Sequence, residues 1–84
     1  MDLNGKIVLV AGGAGGIGLG IAKALAAEGC KVAIADYDKE ALDKALSENP
    51  SLAGRQFDAT NREQVTETFQ WLASEVGPID ILVN

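Results

Sequence analysis

Residues 11–18 read AGGAGGIG, and this glycine-rich stretch is the part of the chain best suited to chemistry. An apolar run, Ile7–Val10, precedes it, and a pattern typical of a helix follows it. Between a strand and a helix, a glycine-rich turn lets the backbone approach a pyrophosphate closely, and the first N–H groups of the helix point at the anion. The stretch therefore indicates a dinucleotide-phosphate loop; a tight turn that binds nothing is the alternative.

The glycine spacing alone does not choose among phosphate-loop templates. Gly13, Gly15 and Gly18 fit the pattern G-x-G-x-x-G. Gly12, Gly16 and Gly18 fit G-x-x-x-G-x-G, while Gly12, Gly15 and Gly18 fit G-x-x-G-x-x-G. A loop this dense in glycine matches several patterns by chance, so the choice depends on the rest of the chain.

Asp36 is the second candidate, since it follows an apolar run and lies eighteen residues beyond Gly18. An acid near that spacing hydrogen-bonds the adenosine ribose hydroxyls; a solvated turn residue is the alternative. A carboxylate also opposes a 2′-phosphate, by ~4 kcal/mol per unit charge at 4 Å and an effective dielectric of ~20. Lys39 is the only cation nearby in sequence. We therefore predict NAD rather than NADP as the cofactor.

The elements that would position these residues alternate between strands and helices. Predicted strands are Lys6–Val10, Lys31–Asp36, a weak edge candidate Leu52–Phe57, and a last strand beginning at Ile79. The order βαβαβαβ predicts an α/β fold: a Rossmann-type parallel sheet, half of a doubly wound fold, with strand order 3-2-1-4. The first two helices should cover one face of the sheet and the third helix the other, so that the strand ends form one binding edge.

Each predicted helix has recognisable ends and an apolar stripe. The first should end at Gly29, a suitable C′ residue. Asp38 should cap the second, and Asn61 the third, with Gln64 at the capping-box position. The three stripes are predicted as Ile17, Ile21, Ala24 and Leu25; Ala41, Leu42, Ala45 and Leu46; and Val65, Phe69, Leu72 and Val76, with Trp71 as a partly exposed flank.

Composition excludes several classes of function. The 84 residues carry a net charge of −5 without any histidine, which argues against a nucleic-acid partner. The single cysteine, Cys30, cannot form an internal disulfide and is expected to be buried, and no metal site is predicted. No signal peptide or membrane span is visible, so we expect a cytoplasmic protein with no membrane partner.

These motifs together resemble the short-chain dehydrogenase/reductase family, in its classical branch. Ala11-Gly12 with Gly16-Ile17-Gly18 resembles the family's Thr-Gly-x-x-x-Gly-Ile-Gly loop, with alanine in place of the threonine whose hydroxyl steadies the loop. Asp36 matches the acid of NAD-preferring members. Asp58-Ala59-Thr60 is similar to the Asp-x-Thr whose acid contacts adenine, and residues 80–84 are similar to the opening of Asp-x-Leu-Val-Asn-Asn-Ala-Gly.

The resemblance implies that residues 1–84 form one NAD-binding Rossmann half-domain. It implies a set of cofactor-binding residues: Gly12, Gly15, Gly16, Ile17, Gly18, Asp36, Tyr37, Asp58, Ala59 and Asn84. The family's catalytic serine, Tyr-x-x-x-Lys pair and helix asparagine are expected beyond Asn84. Tyr37 has Ala41 four residues on and cannot supply the pair. We therefore predict no catalytic residue here, no activity of this chain alone, and an alcohol or ketone substrate only for the complete enzyme.

Two alternatives of other classes stay open. One is a non-catalytic nucleotide-binding or self-associating module, because the last strand, Ile79 to Val83, is an apolar sheet edge that invites pairing with another copy. We accordingly expect a homo-oligomer or aggregation. The other is a methyltransferase-type domain, which also places an acid after its second strand.

Overall fold

The computed structural model describes residues 2–84, in which strands and helices alternate as predicted. The strands are β1 (Ile7–Ala11), β2 (Lys31–Asp36), β3 (Ala53–Gln56) and β4 (Ile81–Val83). The helices are α1 (Gly16–Ala27), α2 (Lys39–Glu48) and α3 (Arg62–Glu75). The bounds of β2 agree with the prediction, β1 is shifted by one residue, and β3 and β4 are shorter than predicted.

All four strands form one parallel sheet in the order β3-β2-β1-β4, which confirms the predicted topology. Val8 pairs with Val32 on one side and with Ile81 on the other, so β1 is central and buried. Since all strands run in one direction, the glycine loop after β1, Asp36 and Asp58 emerge at the same edge of the sheet.

Each face of the sheet carries its own apolar layer, as the right-handed crossovers require. On one face Val8, Val10, Val32 and Ile34 pack with residues of α1 and α2 such as Ala22 and Leu42. On the other face Leu9, Ala33 and Ala35 pack with Phe57 and with Leu72 of α3. The free sulfhydryl of Cys30 is buried, as predicted, and donates to the carbonyl of Leu3 at 3.3 Å.

The predicted buried stripe of α1 is partly wrong. Leu25 packs partly against the core, as predicted. Ile17 is 84% exposed and Ala24 is also exposed, whereas Ala22 is fully buried and Leu19 packs partly against the core, both outside the predicted stripe. The loop sets this rotation, since α1 must start close to the end of β1. Ile17 consequently lies in the first turn, at the open edge of the sheet.

The stripe of α3 is also partly wrong. Leu72 is buried, as predicted, but Phe69 is 37% exposed. Thr68, outside the predicted stripe, is also fully buried, and its hydroxyl donates to the carbonyl of Gln64 at 2.7 Å. Phe69 instead lines a cleft of about 170 Å³ together with Leu82 of β4. A polar side chain can be buried within α3 because this hydrogen bond back to the helix satisfies it.

The helix caps agree with the sequence, with one difference. The Asp38 side chain accepts from Ala41 N at 3.1 Å, and that of Asn61 accepts from Gln64 N at 3.1 Å. Gln64 does not complete a capping box, since its side-chain oxygen accepts from Asp58 N at 2.8 Å. Gly29 has φ +92°, the left-handed conformation expected at C′.

Asp80 fastens the start of β4 to the start of β1. Its amide donates to the Ile7 carbonyl at 2.8 Å, and its carboxylate accepts from the Ile7 amide at 2.9 Å. This two-way contact extends the pairing of β4, which is only three residues long, by one step. No helix among residues 2–84 is long and apolar enough to cross a membrane.

Candidate dinucleotide-binding site

The glycine loop follows a backbone path that other residues would resist. Gly12 has φ +76° and Gly16 has φ +55°, a region that costs residues with a Cβ atom. A Cβ atom on Gly18 would meet the Gly12 carbonyl oxygen and lie 3.1 Å from the Gly12 carbonyl carbon. The loop therefore needs glycine at positions 12, 16 and 18, all three predicted from sequence.

The loop leaves the start of α1 available to an anion. Gly15 occupies the N-cap position in an extended conformation and has no side chain to bond the first N–H groups of the helix. No acidic residue lies in the first turn. Unbonded N–H groups and the positive end of the helix dipole both favour a phosphate at such a place.

Asp36, at the end of β2, faces the loop. One carboxylate oxygen accepts from Ala14 N at 3.1 Å, and the other accepts from Asp38 N at 3.0 Å. The carbonyl of Ala35 accepts from Gly12 N at 2.7 Å. The acid thus lies beside the loop at the carboxyl edge of the sheet.

Asp58 lies at the end of the next strand. The hydroxyl of Thr60 donates to its carboxylate at 2.6 Å and the Thr60 amide at 2.9 Å. These two hydrogen bonds lower the pKa of Asp58 below its ordinary value, because they favour the charged form. The hydrogen bond from Asp58 N to Gln64 holds the residue at the start of the connection to α3. Asp58 is therefore a fixed, ionised hydrogen-bond acceptor.

Two adjoining clefts bring most of the predicted residues together. One, of about 280 Å³, is lined by Ala11, Gly12, Asp36, Tyr37, Phe57, Ala59 and Asn84. The other, of about 320 Å³, is lined by Tyr37, Gln56, Phe57, Asp58 and Gln64. Tyr37 and Phe57 are common to both clefts, and Tyr37 is 72% exposed. Gly15, Gly16, Ile17 and Gly18 line neither cleft and form the loop and the adjoining first turn of α1.

The groups at the site are hydrogen-bond donors and acceptors, which are suited to binding and orienting a ligand. Its donors are loop and helix N–H groups, and its acceptors are the carboxylates of Asp36 and Asp58. Within residues 2–84, no group of three or more His, Cys, Asp or Glu side chains could hold a metal ion. An anion that carries ribose hydroxyls, such as a dinucleotide, matches this combination of donors, acceptors and glycine backbone.

Sequence reasoning missed three contacts of the site: those of Asp36 with the Ala14 amide, Gln64 with the Asp58 amide, and Gln56 with the Tyr37 carbonyl at 3.1 Å. Each joins residues of different elements. The capping-box position of Gln64 was the only local signal, and it indicated a different partner.

Comparison with known proteins identifies similar dehydrogenases that match this chain over its whole length. The family model described as short chain dehydrogenase matches residues 6–84. Galactitol 2-dehydrogenase of Agrobacterium fabrum is 45% identical over 85 residues, covering all of this chain and 33% of that protein. Human 15-hydroxyprostaglandin dehydrogenase [NAD(+)] is 38% identical over 91 residues, covering all of this chain and 34% of that protein.

Solved structures agree with the sequence matches. The crystal structure of 2-keto-3-deoxy-D-gluconate dehydrogenase from Streptococcus agalactiae superposes with a TM-score of 0.91 at 34% identity, covering 99% of this chain and 33% of that one. The chain therefore spans about a third of the length of these relatives. The matches are to dehydrogenases, which decides against the methyltransferase-type alternative.

Proposed function

The chain belongs to the short-chain dehydrogenase family, and on that basis we propose that it is the dinucleotide-binding part of an NAD-dependent oxidoreductase. In the complete enzyme, hydride would pass between the nicotinamide and the carbon of an alcohol or ketone. The observation that carries the proposal is the convergence of the glycine loop, Asp36 and Asp58 at the carboxyl edge of one parallel sheet.

Each part of the site has a proposed role in binding. The loop and the first turn of α1 hold the pyrophosphate through N–H groups. Asp36 accepts hydrogen bonds from the ribose hydroxyls. The face of Tyr37 flanks the adenine, and Asp58 and Ala59 contact its edge. Asn84 lines the same cleft as Tyr37 and is assigned to the nicotinamide half, where the bound cofactor would supply the hydride acceptor.

We propose that this site prefers NAD to NADP. A 2′-phosphate would lie beside the Asp36 carboxylate, at a cost of ~4 kcal/mol per unit charge at 4 Å and an effective dielectric of ~20. Lys39, the nearest cation in sequence, is engaged with Asp43 at 3.3 Å, which leaves it less able to offset that repulsion. One relative bears NAD(+) in its name, which is compatible with this preference.

Titration calorimetry with NAD, NADP and AMP tests the binding role. The chain has about a third of its relatives' length, so we expect a dissociation constant for NAD in the high micromolar range or weaker. This corresponds to a binding free energy of no more than about 6 kcal/mol. NADP should bind measurably more weakly. Glu75→Gln removes the same charge from an exposed position at the end of α3 and should leave the NAD-to-NADP ratio nearly unchanged. Equal affinities of the wild-type chain for NAD and NADP would contradict the role of Asp36.

We propose further that residues 1–84 transfer no hydride by themselves. Removing the hydroxyl proton of an alcohol needs a base poised near the working pH. The chain has no histidine, Tyr37 has no lysine four residues on, and Asp36 and Asp58 lie on the adenosine side. Absorbance of NADH with a panel of secondary alcohols should show no turnover. Turnover that is proportional to the concentration of this chain and retained in Tyr37→Phe would show that another of its side chains is catalytic.

Self-association is a second candidate property, favoured by the edge position of β4. Leu82 is 52% exposed and Ile79 is 37% exposed. Within residues 2–84, β4 pairs on one side only, with β1. We propose that two copies associate through this edge. Sedimentation velocity should show concentration-dependent association that Leu82→Gln weakens and Thr66→Gln, on the exposed face of α3, does not. A stable monomer at high concentration would contradict this self-association.

The cytoplasmic location stays a prediction from the sequence.

A further inference from the structure

We propose that Asp36 is also the positioning residue of the glycine loop, so that recognition of the adenosine and of the pyrophosphate depends on one side chain. The positioning role is a property of the ligand-free protein. Only its consequence for binding rests on the proposed function.

The loop is attached to the end of β2 by consecutive N–H groups. Gly12 N and Gly13 N donate to the Ala35 carbonyl at 2.7 and 3.4 Å, and Ala14 N donates to the Asp36 carboxylate at 3.1 Å. The first two bonds end on a backbone oxygen, which every residue type supplies. The third ends on a side chain. It is therefore the one attachment of this series that a substitution at position 36 removes.

Of the two hydrogen bonds that attach Gly13 and Ala14 to β2, the one from Ala14 N to Asp36 is the shorter. Gly13 N approaches its acceptor only at 3.4 Å, whereas Ala14 N meets a carboxylate. Hydrogen bonds to charged acceptors are stronger than those to neutral ones. The Ala14 side chain is buried, with 5% exposure, against the layer under α1 and α2. Asp36 thus holds the residue at which the loop turns from the sheet toward α1.

The carboxylate has enough acceptor capacity to do both tasks at once. Its two oxygens offer about four lone-pair sites. One oxygen accepts from Ala14 N and the other from Asp38 N, so each keeps a further site for a ribose hydroxyl. Bound adenosine therefore need not displace the loop contact. It follows that a substitution of Asp36 made to admit a 2′-phosphate also releases the loop that holds the pyrophosphate.

Asparagine and alanine at position 36 remove the carboxylate contacts to different extents. Asp36→Asn has one acceptor oxygen instead of two and no charge, so it can accept from Ala14 N or from Asp38 N but not from both. Asp36→Ala accepts from neither. Protection of the loop should therefore rank wild type, then Asp36→Asn, then Asp36→Ala. Glu75→Gln makes a matching charge change on an exposed side chain at the end of α3.

The first experiment needs no ligand. Amide hydrogen exchange measured by NMR should show Ala14 N–H exchanging roughly tenfold or more faster in Asp36→Ala, with Asp36→Asn between it and wild type. Amides of Ala33 and Val10 in the central strands should keep their rates, and Glu75→Gln should resemble wild type. An unchanged Ala14 rate, or an equal acceleration of Ala14 and the central strands, would overturn the positioning role.

The second experiment uses 2′,3′-dideoxyadenosine 5′-diphosphate, which has no ribose hydroxyl for Asp36 to accept from. Charge alone predicts that Asp36→Ala binds this anion more tightly. Loss of the loop contact predicts that Asp36→Ala binds it about threefold or more weakly, with Glu75→Gln close to wild type. Binding by Asp36→Ala equal to or tighter than wild type would overturn the coupling. Absence of binding by the wild type would instead contradict the proposed function, and hydrogen exchange would still decide the positioning role.

Discussion

Replacing Gly18 with alanine adds one methyl group at the closest approach between the loop and α1. The new Cβ atom would meet the Gly12 carbonyl oxygen and lie 3.2 Å from the Gly13 Cα. Both are backbone atoms, and Gly12 is tied to β2 through the bond to Ala35. The loop cannot yield as a flexible side chain would, so either the loop or the start of α1 must move.

Gly20 offers a matched control in the same helix. A Cβ atom there has nothing within 4 Å, so Gly20→Ala should stabilise the protein by about 1 kcal/mol through helix propensity alone. Gly18→Ala has a similar propensity gain but adds an overpacking cost of about 1–3 kcal/mol. The difference in unfolding free energy between the two variants therefore measures the clash of the Gly18→Ala methyl group with the loop. For a domain of this size, each kcal/mol of that difference shifts the melting temperature by about 4–8 °C.

Thermal unfolding followed by circular dichroism, together with NAD titration, measures both effects. We expect Gly18→Ala to melt below Gly20→Ala and to bind NAD more weakly, because the N–H groups that face the pyrophosphate are displaced. Gly20→Ala should bind as wild type does. Equal melting temperatures of the two variants would refute the packing argument. Unimpaired NAD binding by Gly18→Ala would refute the role of the loop geometry.

Substitutions at three further features, the Asp58 carboxylate, the helix caps and the start of β4, have defined outcomes. Thr60→Val should raise the pKa of Asp58, measured by NMR titration, because it removes the hydroxyl hydrogen bond that is the larger cause of the lowering. Since folding lowers this pKa, the ionised Asp58 stabilises the fold at pH values above the pKa of the unfolded state. That stabilisation is lost as the pH falls through the pKa of the folded state. An unchanged pKa would contradict this. Asp38→Ala and Asn61→Ala should each lower the urea unfolding free energy by about 0.5–2 kcal/mol, and an unchanged midpoint would exclude capping. Asp80→Ala should cost about 1 kcal/mol in the same assay, with Asp80→Asn recovering part of it; equal losses would mean that the acceptor oxygen is unimportant.

The element order was readable from sequence because its signals are local. Asp38 and Asn61 bond N–H groups three residues away, and Gly29 adopts its conformation without help from distant residues. Apolar runs between such ends predicted a parallel sheet, and the right-handed crossover rule then predicted the strand order. The glycine loop and Asp36 were found in the same way, since residue type and spacing alone suggested their chemistry.

The tertiary structure decided how those elements rotate and which atoms meet. Ile17 is exposed and Ala22 buried because the loop fixes how α1 starts on the sheet, and an apolar pattern shifted by one residue looks almost the same in sequence. The bond from Ala14 to Asp36 spans 22 residues, and that from Ile7 to Asp80 spans 73. No local pattern encodes such contacts, since they exist only after the strands are paired. The sequence by itself determined which groups could bind a dinucleotide; only the packing of β1, β2 and β4 determined how those groups hold one another in place.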